Sequence, residues 1–96
     1  MTTRSAADTS ADQRAAVFKA LGEPTRLRIV DFLRRRGKDA TGSEIAEHVG
    51  ISLALLCHHT DALVEAGLLT KRKEGQTSLW RVNAPALALA VKSLGA

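Results

Sequence analysis

SEIAEHVGISLALLCHHTDALVEAGLL, running from Ser43 to Leu69, decides how the chain folds. Its first part places Ile45, Ala46 and Val49 at helical spacing and ends at Gly50. Its second part opens at Ser52, whose hydroxyl suits a free N–H of a helix's first turn. Leu56, Thr60 and Leu63 then recur at i, i+4 and i+7, which sets them on one helical face. Gly67 stands where a helix closes through a left-handed residue. Two short helices joined by a tight glycine turn read as a helix-turn-helix. In such a unit the first helix braces and the second fits a DNA major groove about 12 Å wide. A plain helical hairpin in a small bundle carries the same pattern, so the flanking residues must decide.

Downstream, Thr77, Leu79 and Arg81 alternate with Ser78, Trp80 and Val82, the period of a half-buried strand. Leu68 to Lys73 supplies a pairing strand, with Glu74-Gly75-Gln76 as the turn. That is a β-hairpin with a basic stem, a wing. Asn83 stops the strand and Pro85 opens a last helix. The stretch Ala86 to Leu94 is apolar almost all round and too short to stand alone, so a second subunit is expected to cover it.

Upstream, Gly22-Glu23-Pro24 ends one helix and starts another, since Pro at the first turn wastes no hydrogen bond and Glu23 favours the dipole. Leu27, Ile29, Val30, Phe32 and Leu33 give that helix a broad buried face. Arg34, Arg35 and Arg36 read as a solvated, dipole-matched end before Gly37, with phosphate contact as the alternative. Lys38 to Gly42 reads as a loop, with Thr41 or Ser43 capping the bracing helix. An earlier helix, capped by Thr9, Ser10 or Asp12, runs to about Leu21. It carries Val17, Phe18 and Leu21 either against the chain's own core or across a dimer axis. Residues 1–10 read as a flexible tail and 11–96 as one domain. The expected fold is mainly α (α+β): a winged helix-turn-helix of about five helices plus a two-stranded β-hairpin wing, forming a homodimer.

Composition narrows the function classes. Ninety-six residues, 45% of them hydrophobic, suffice for one small core, built from aliphatic side chains because only two Phe and one Trp are present. Such a domain buries only about 60–65% of its unfolded surface, so a second subunit would add stability. The formal charge of +4 suits a polyanionic partner. A single cysteine, Cys57, forms no internal disulfide, and neither a signal-like segment nor a membrane-length apolar run is visible. A cytoplasmic protein is expected.

With these features in place, the sequence resembles the ArsR/SmtB family of small bacterial winged-helix repressors. The resemblance is carried by FKALGEPTRLRI (Phe18–Ile29), SEIAEHVGIS (Ser43–Ser52), CHHTDALVEAGLL (Cys57–Leu69) and the hairpin with Glu74-Gly75 at its tip. It implies a homodimer that binds an inverted-repeat operator through paired recognition helices and wings. Many family members release DNA on binding a metal or metalloid. Where many place a pair of cysteines, this chain has Thr41-Gly42-Ser43, and its last helix offers no Asp, Glu, His or Cys. A closed zinc site needs about four ligands, and Cys57, His58 and His59 are consecutive on one helix and point apart. No metal site, cofactor or catalytic residue is therefore assigned. Cys57 as nucleophile with His58 as base fails on the same divergence.

The resemblance points to Ser52, Leu53, Ala54, Cys57 and His58 on recognition helix 52–66 as DNA contacts. Lys71, Arg72, Lys73, Gln76, Thr77 and Arg81 on wing 70–82 join them. No Lys or Arg lies between Leu53 and Ala66, so bidentate guanine reading by this helix is absent. If all four wing cations reach phosphate, log K should fall against log salt with a slope of roughly −5 to −7 per dimer. Leu55 is expected to widen the core or stiffen the turn, and His59 to be a hydrogen-bonded packing residue. Val17, Phe18, Leu21, Leu87, Leu89, Val91 and Leu94 are the expected dimer contacts. The partners expected are a double-stranded DNA operator and a second copy, with no membrane; the inducer is left open. The competing reading is a winged-helix module for protein–protein contact, using exposed Leu53 and Leu55.

Overall fold

A computed structural model of the chain describes residues 6–93, with side chains from residue 11. Five helices alternate with three strands: α1 (Ala6–Leu21), α2 (Pro24–Arg36), β1 (Ala40–Thr41), α3 (Gly42–Val49), α4 (Leu53–Glu65), β2 (Leu69–Glu74), β3 (Thr77–Val82) and α5 (Ala84–Lys92). The helix ends follow from local chemistry. Glu23 caps α2 by accepting from the Arg26 N–H at 3.0 Å, with Pro24 just inside the start. Thr41 caps α3 in a reciprocal box with Glu44, at 3.1 and 3.2 Å. The backbone N–H of Thr41 holds the Glu44 carboxyl below the usual carboxylate range. Gly37 and Gly50 close α2 and α3 at φ 69° and 79°, where any Cβ would be strained.

The wing is a hairpin in register from Leu69↔Val82 to Glu74↔Thr77. Its two-residue turn begins at Gly75 with φ 62°, the positive value that hairpins of this length need. A third strand joins it: Ala40↔Trp80 and Thr41↔Leu79 pair β1 antiparallel to β3, so the sheet order is β1-β3-β2. The core lies between this sheet and the helices. Ile29, Val30 and Leu33 of α2, Ile45 of α3, Leu56 and Leu63 of α4, Leu68, Leu69 and Trp80 are buried there.

Several expectations need correction. Helix α1 begins at Ala6, so residues 6–10 of the expected tail are helical, and residues 1–5 lie outside the described residues. The segment 38–42 is no plain loop, because Ala40 and Thr41 add a strand to the sheet; a two-residue strand is too short for periodicity to reveal. Leu27 is 51% exposed: it lies on the first turn of α2, and Ile29, Val30 and Leu33 fill the inward face of that helix. Leu55 is likewise exposed rather than in the core, because it lies off the line of Leu56, Thr60 and Leu63.

Candidate nucleic-acid interface

The pair α3–α4 is joined at Gly50-Ile51-Ser52, where the N–H groups of Gly50 and Ile51 both donate to the Ala46 carbonyl. Ser52 Oγ accepts from the Leu55 N–H at 3.1 Å and so fixes the start of α4. Leu56, Thr60 and Leu63 are fully buried, and the Thr60 hydroxyl donates back to the Cys57 carbonyl at 3.2 Å. That inward line leaves the opposite face to Leu53, Ala54, Cys57, His58 and Asp61, all exposed. His59 is buried, and Arg26 Nε donates to its Nδ1 at 3.1 Å, which ties α4 to the first turn of α2. The bond takes up the lone pair of Nδ1. His59 is therefore a braced packing residue, as the sequence suggested.

Gly42, at the start of α3, lets this unit close up. A Cβ there would meet Leu53 Cδ1 at 3.0 Å, Trp80 Cζ3 at 3.3 Å and Leu56 Cδ2 at 3.5 Å. Leu53 is thus half-exposed at 51%, with one methyl seated on the α3 backbone. Nothing in the sequence pattern marked Gly42, since close approach between elements leaves no local signature.

The wing residues Lys71, Arg72, Lys73, Gln76, Thr77 and Arg81 are all exposed, but they do not form one patch. Strand alternation and the register place Lys71 and Lys73 on the face of Trp80, and Arg72 and Arg81 on the other, beside Leu79. Lys71 Nζ lies 5.3 Å from the Trp80 ring centroid, near enough for a cation–π contact. The two arginines converge on Asp39, one residue before β1. Arg72 Nε donates to Asp39 Oδ2 at 2.7 Å and its Nη2 lies 2.6 Å from the same oxygen, while Arg81 Nε donates to Oδ1 at 2.6 Å. Arg72 Nη1 also donates to Glu74 Oε2 at 2.6 Å. The hydrogen bond from Arg81, then that from Arg72, holds the Asp39 carboxyl below the usual range. Sequence reasoning missed Asp39, because its role depends on β1 lying beside β3.

Of the expected dimer contacts, Leu89 is 70% and Val91 56% exposed, whereas Val17, Leu21 and Leu87 pack partly on the chain's own core. Ala90 of α5 is buried and Phe18 half-buried; Leu94 lies outside the described residues. Helix α5 therefore covers one of its faces within the chain. A groove of about 350 Å³ between α1 and α5 is lined by Gln13, Arg14, Val17, Ala86, Leu89, Ala90 and Ser93. Among the described residues, no three His, Cys, Asp or Glu side chains gather as a metal set, and no helix is long and apolar enough to cross a membrane.

Known proteins share this arrangement. Residues 23–71 match the sequence profile described as "Bacterial regulatory protein, arsR family". The chain is 38% identical over 71 residues to the transcriptional repressor SdpR of Bacillus subtilis, covering 74% of this chain and 77% of that one. It is 35% identical over 80 residues to a probable mercury resistance operon repressor of Streptomyces lividans, covering 83% of this chain but only 62% of that protein. Among solved structures, a homodimeric winged helix-turn-helix DNA-binding domain from Mycobacterium bovis superposes with a TM-score of 0.74 at 28% identity, over 98% of this chain and 94% of that one. An ArsR-like regulator from Rhodococcus gives 0.79 at 28% identity, over 90% and 79%.

Proposed function

The chain belongs to the arsR family of bacterial regulatory proteins, and from that premise we propose that it is a cytoplasmic, homodimeric repressor of transcription. It binds an inverted-repeat operator through α4 and the wing, and it responds to something other than a metal ion. One observation carries the reading: the Ser52-capped helix α4 buries Leu56, Thr60 and Leu63 and turns Leu53, Ala54, Cys57 and His58 outward, next to a basic hairpin. That is how a helix-turn-helix offers side chains to a major groove. With no cation on α4, base reading falls to His58, Cys57 and apolar contact of Leu53 or Ala54 with thymine methyls. Pairing through α5 is supported by exposed Leu89 and Val91 beside the groove against α1, and by the homodimeric state of the Mycobacterium bovis domain. The metal-independent reading is supported by Thr41-Gly42-Ser43, which bring no thiolate to α3.

Exposure of Leu53 and Leu55, side by side at the start of α4, favours one second reading, a protein-contact module. Incubating the purified protein with sheared genomic DNA and sequencing what it retains separates the two. The proposal expects a small set of fragments sharing an inverted repeat, with half-sites about one helical turn or a multiple apart. Retention of no duplex, or of all fragments equally, refutes it.

A further inference from the structure

We propose that Asp39 is a specificity-determining residue of the wing: it holds Arg72 and Arg81 in a closed charge cluster, withholds them from DNA phosphate, and leaves Lys71 and Lys73 to supply sequence-independent affinity. The inference deepens the DNA-binding reading and rests on it.

Each nitrogen of Arg72 meets a carboxylate, Nε and Nη2 on Asp39 and Nη1 on Glu74, which leaves one outward N–H on each Nη. Arg81 is held by Nε. Bonds of 2.6–2.7 Å between guanidinium and carboxylate are of the strong, charge-assisted kind. The Asp39 side chain is only 11% exposed, so water competes poorly for it. On this face of the sheet two cations meet two anions, Asp39 and Glu74, and the formal charges cancel. On the other face Lys71 and Lys73 carry no carboxylate partner among the described residues.

The consequence is a lower background. Non-specific affinity for duplex DNA comes from phosphates neutralised, and what a regulator needs is the ratio of specific to non-specific binding. Helix α4 has no lysine or arginine and so makes no bidentate guanine contact. Four free cations on each wing would let the non-specific term swamp its base reading; two per wing keep the ratio useful. With two lysines per subunit reaching phosphate, the salt slope for the dimer becomes about −4 rather than −5 to −7.

The test is the salt dependence of binding to a random-sequence duplex. For Asp39→Asn, one charge per subunit loses its partner, so the slope should steepen by about 2. Lowering salt from 200 to 50 mM should then raise affinity by about 16-fold more than in the wild type, that being fourfold to the second power. Asp39→Glu should return to the wild-type slope, and so should Asp39→Asn combined with Arg81→Gln, which restores neutrality. A merely structural Asp39 would instead weaken binding without steepening it. Glu74→Gln, at an exposed turn position that leaves folding intact, should also steepen the slope and serves if Asp39→Asn unfolds. A slope unchanged or flatter in folded Asp39→Asn, or in Glu74→Gln, overturns the inference while leaving DNA binding standing. A wild type that binds no duplex at low salt overturns both.

Discussion

Replacing Gly42 with Ala sets two effects of opposite sign against each other. Alanine favours a helix over glycine by up to about 1 kcal/mol in a helix interior, and by less at a helix end. Against this, the new methyl would lie 3.0 Å from Leu53 Cδ1 and 3.3 Å from Trp80 Cζ3. Leu53 is half-exposed and its methyl can swing outward, but the Trp80 ring is buried. Moving a buried ring by a few tenths of an ångström costs about 1–3 kcal/mol in a close-packed core. The net expectation is a loss of about 1–2 kcal/mol. In a domain of this size that lowers Tm by about 4–8 °C per kcal/mol. Thermal unfolding followed by circular dichroism at one fixed protein concentration reads it, since a dimer's Tm depends on concentration. Gly42→Ala in a Leu53→Ala background should recover only the share due to Leu53, leaving the Trp80 share in place. A Gly42→Ala protein as stable as the wild type, or more stable, would refute the claim that α3 needs a bare backbone here.

Cys57→Ser should keep operator affinity within about 1 kcal/mol, as one modest contact warrants, while oxidised wild type should lose binding because bulk or charge then faces phosphate; loss after a brief peroxide pulse, reversed by reductant and absent in Cys57→Ser, would make the thiol a sensor rather than a fitted contact. Stoichiometric zinc, cadmium or arsenite should change operator affinity less than about threefold, under roughly 0.7 kcal/mol, and a tenfold loss in a titration would contradict that. The Asp39 carboxyl is held below its usual range chiefly by Arg81, so its contribution to stability is complete above the unfolded carboxylate value, about 4, and is lost as pH falls through the lowered folded value. Wing amide exchange, corrected for intrinsic rates, should therefore be level from pH 7 to 5 and quicken only below about pH 4; loosening already near pH 6 would argue against the cluster.

What was legible in the sequence was whatever periodicity and capping chemistry encode locally. Ser52, Gly50 and the line Leu56–Thr60–Leu63 fixed the helix-turn-helix, and the alternation from Thr77 to Val82 with Gly75 at the tip fixed the hairpin. What stayed hidden was non-local. The strand Ala40–Thr41 exists only because β3 lies beside it, and with it came the place of Asp39 between two arginines. Charge counting therefore overstated the free cations of the wing. Leu27 and Leu55 are apolar yet exposed, because hydropathy reports what a residue prefers and not which neighbours have already filled the face. The last helix looked uncovered all round, whereas Leu87 and Ala90 find partners in the same chain and, of its large apolar side chains among the described residues, Leu89 and Val91 stay exposed.

In the proposed assembly two copies, joined through α5 and α1, place paired α4 helices on one inverted repeat. The most direct measurement combines sedimentation equilibrium with titration of the recovered operator, for wild type beside Leu89→Glu. Leu89 is exposed, so the substitution leaves the folded subunit intact. The expected result is a wild-type dimer bound once per inverted repeat, and monomers for Leu89→Glu, with operator affinity reduced by about 100-fold or more as the second half-site loses its tether. A folded Leu89→Glu protein that remains dimeric, or a monomer that binds the operator as tightly as the wild type, would overturn this assembly.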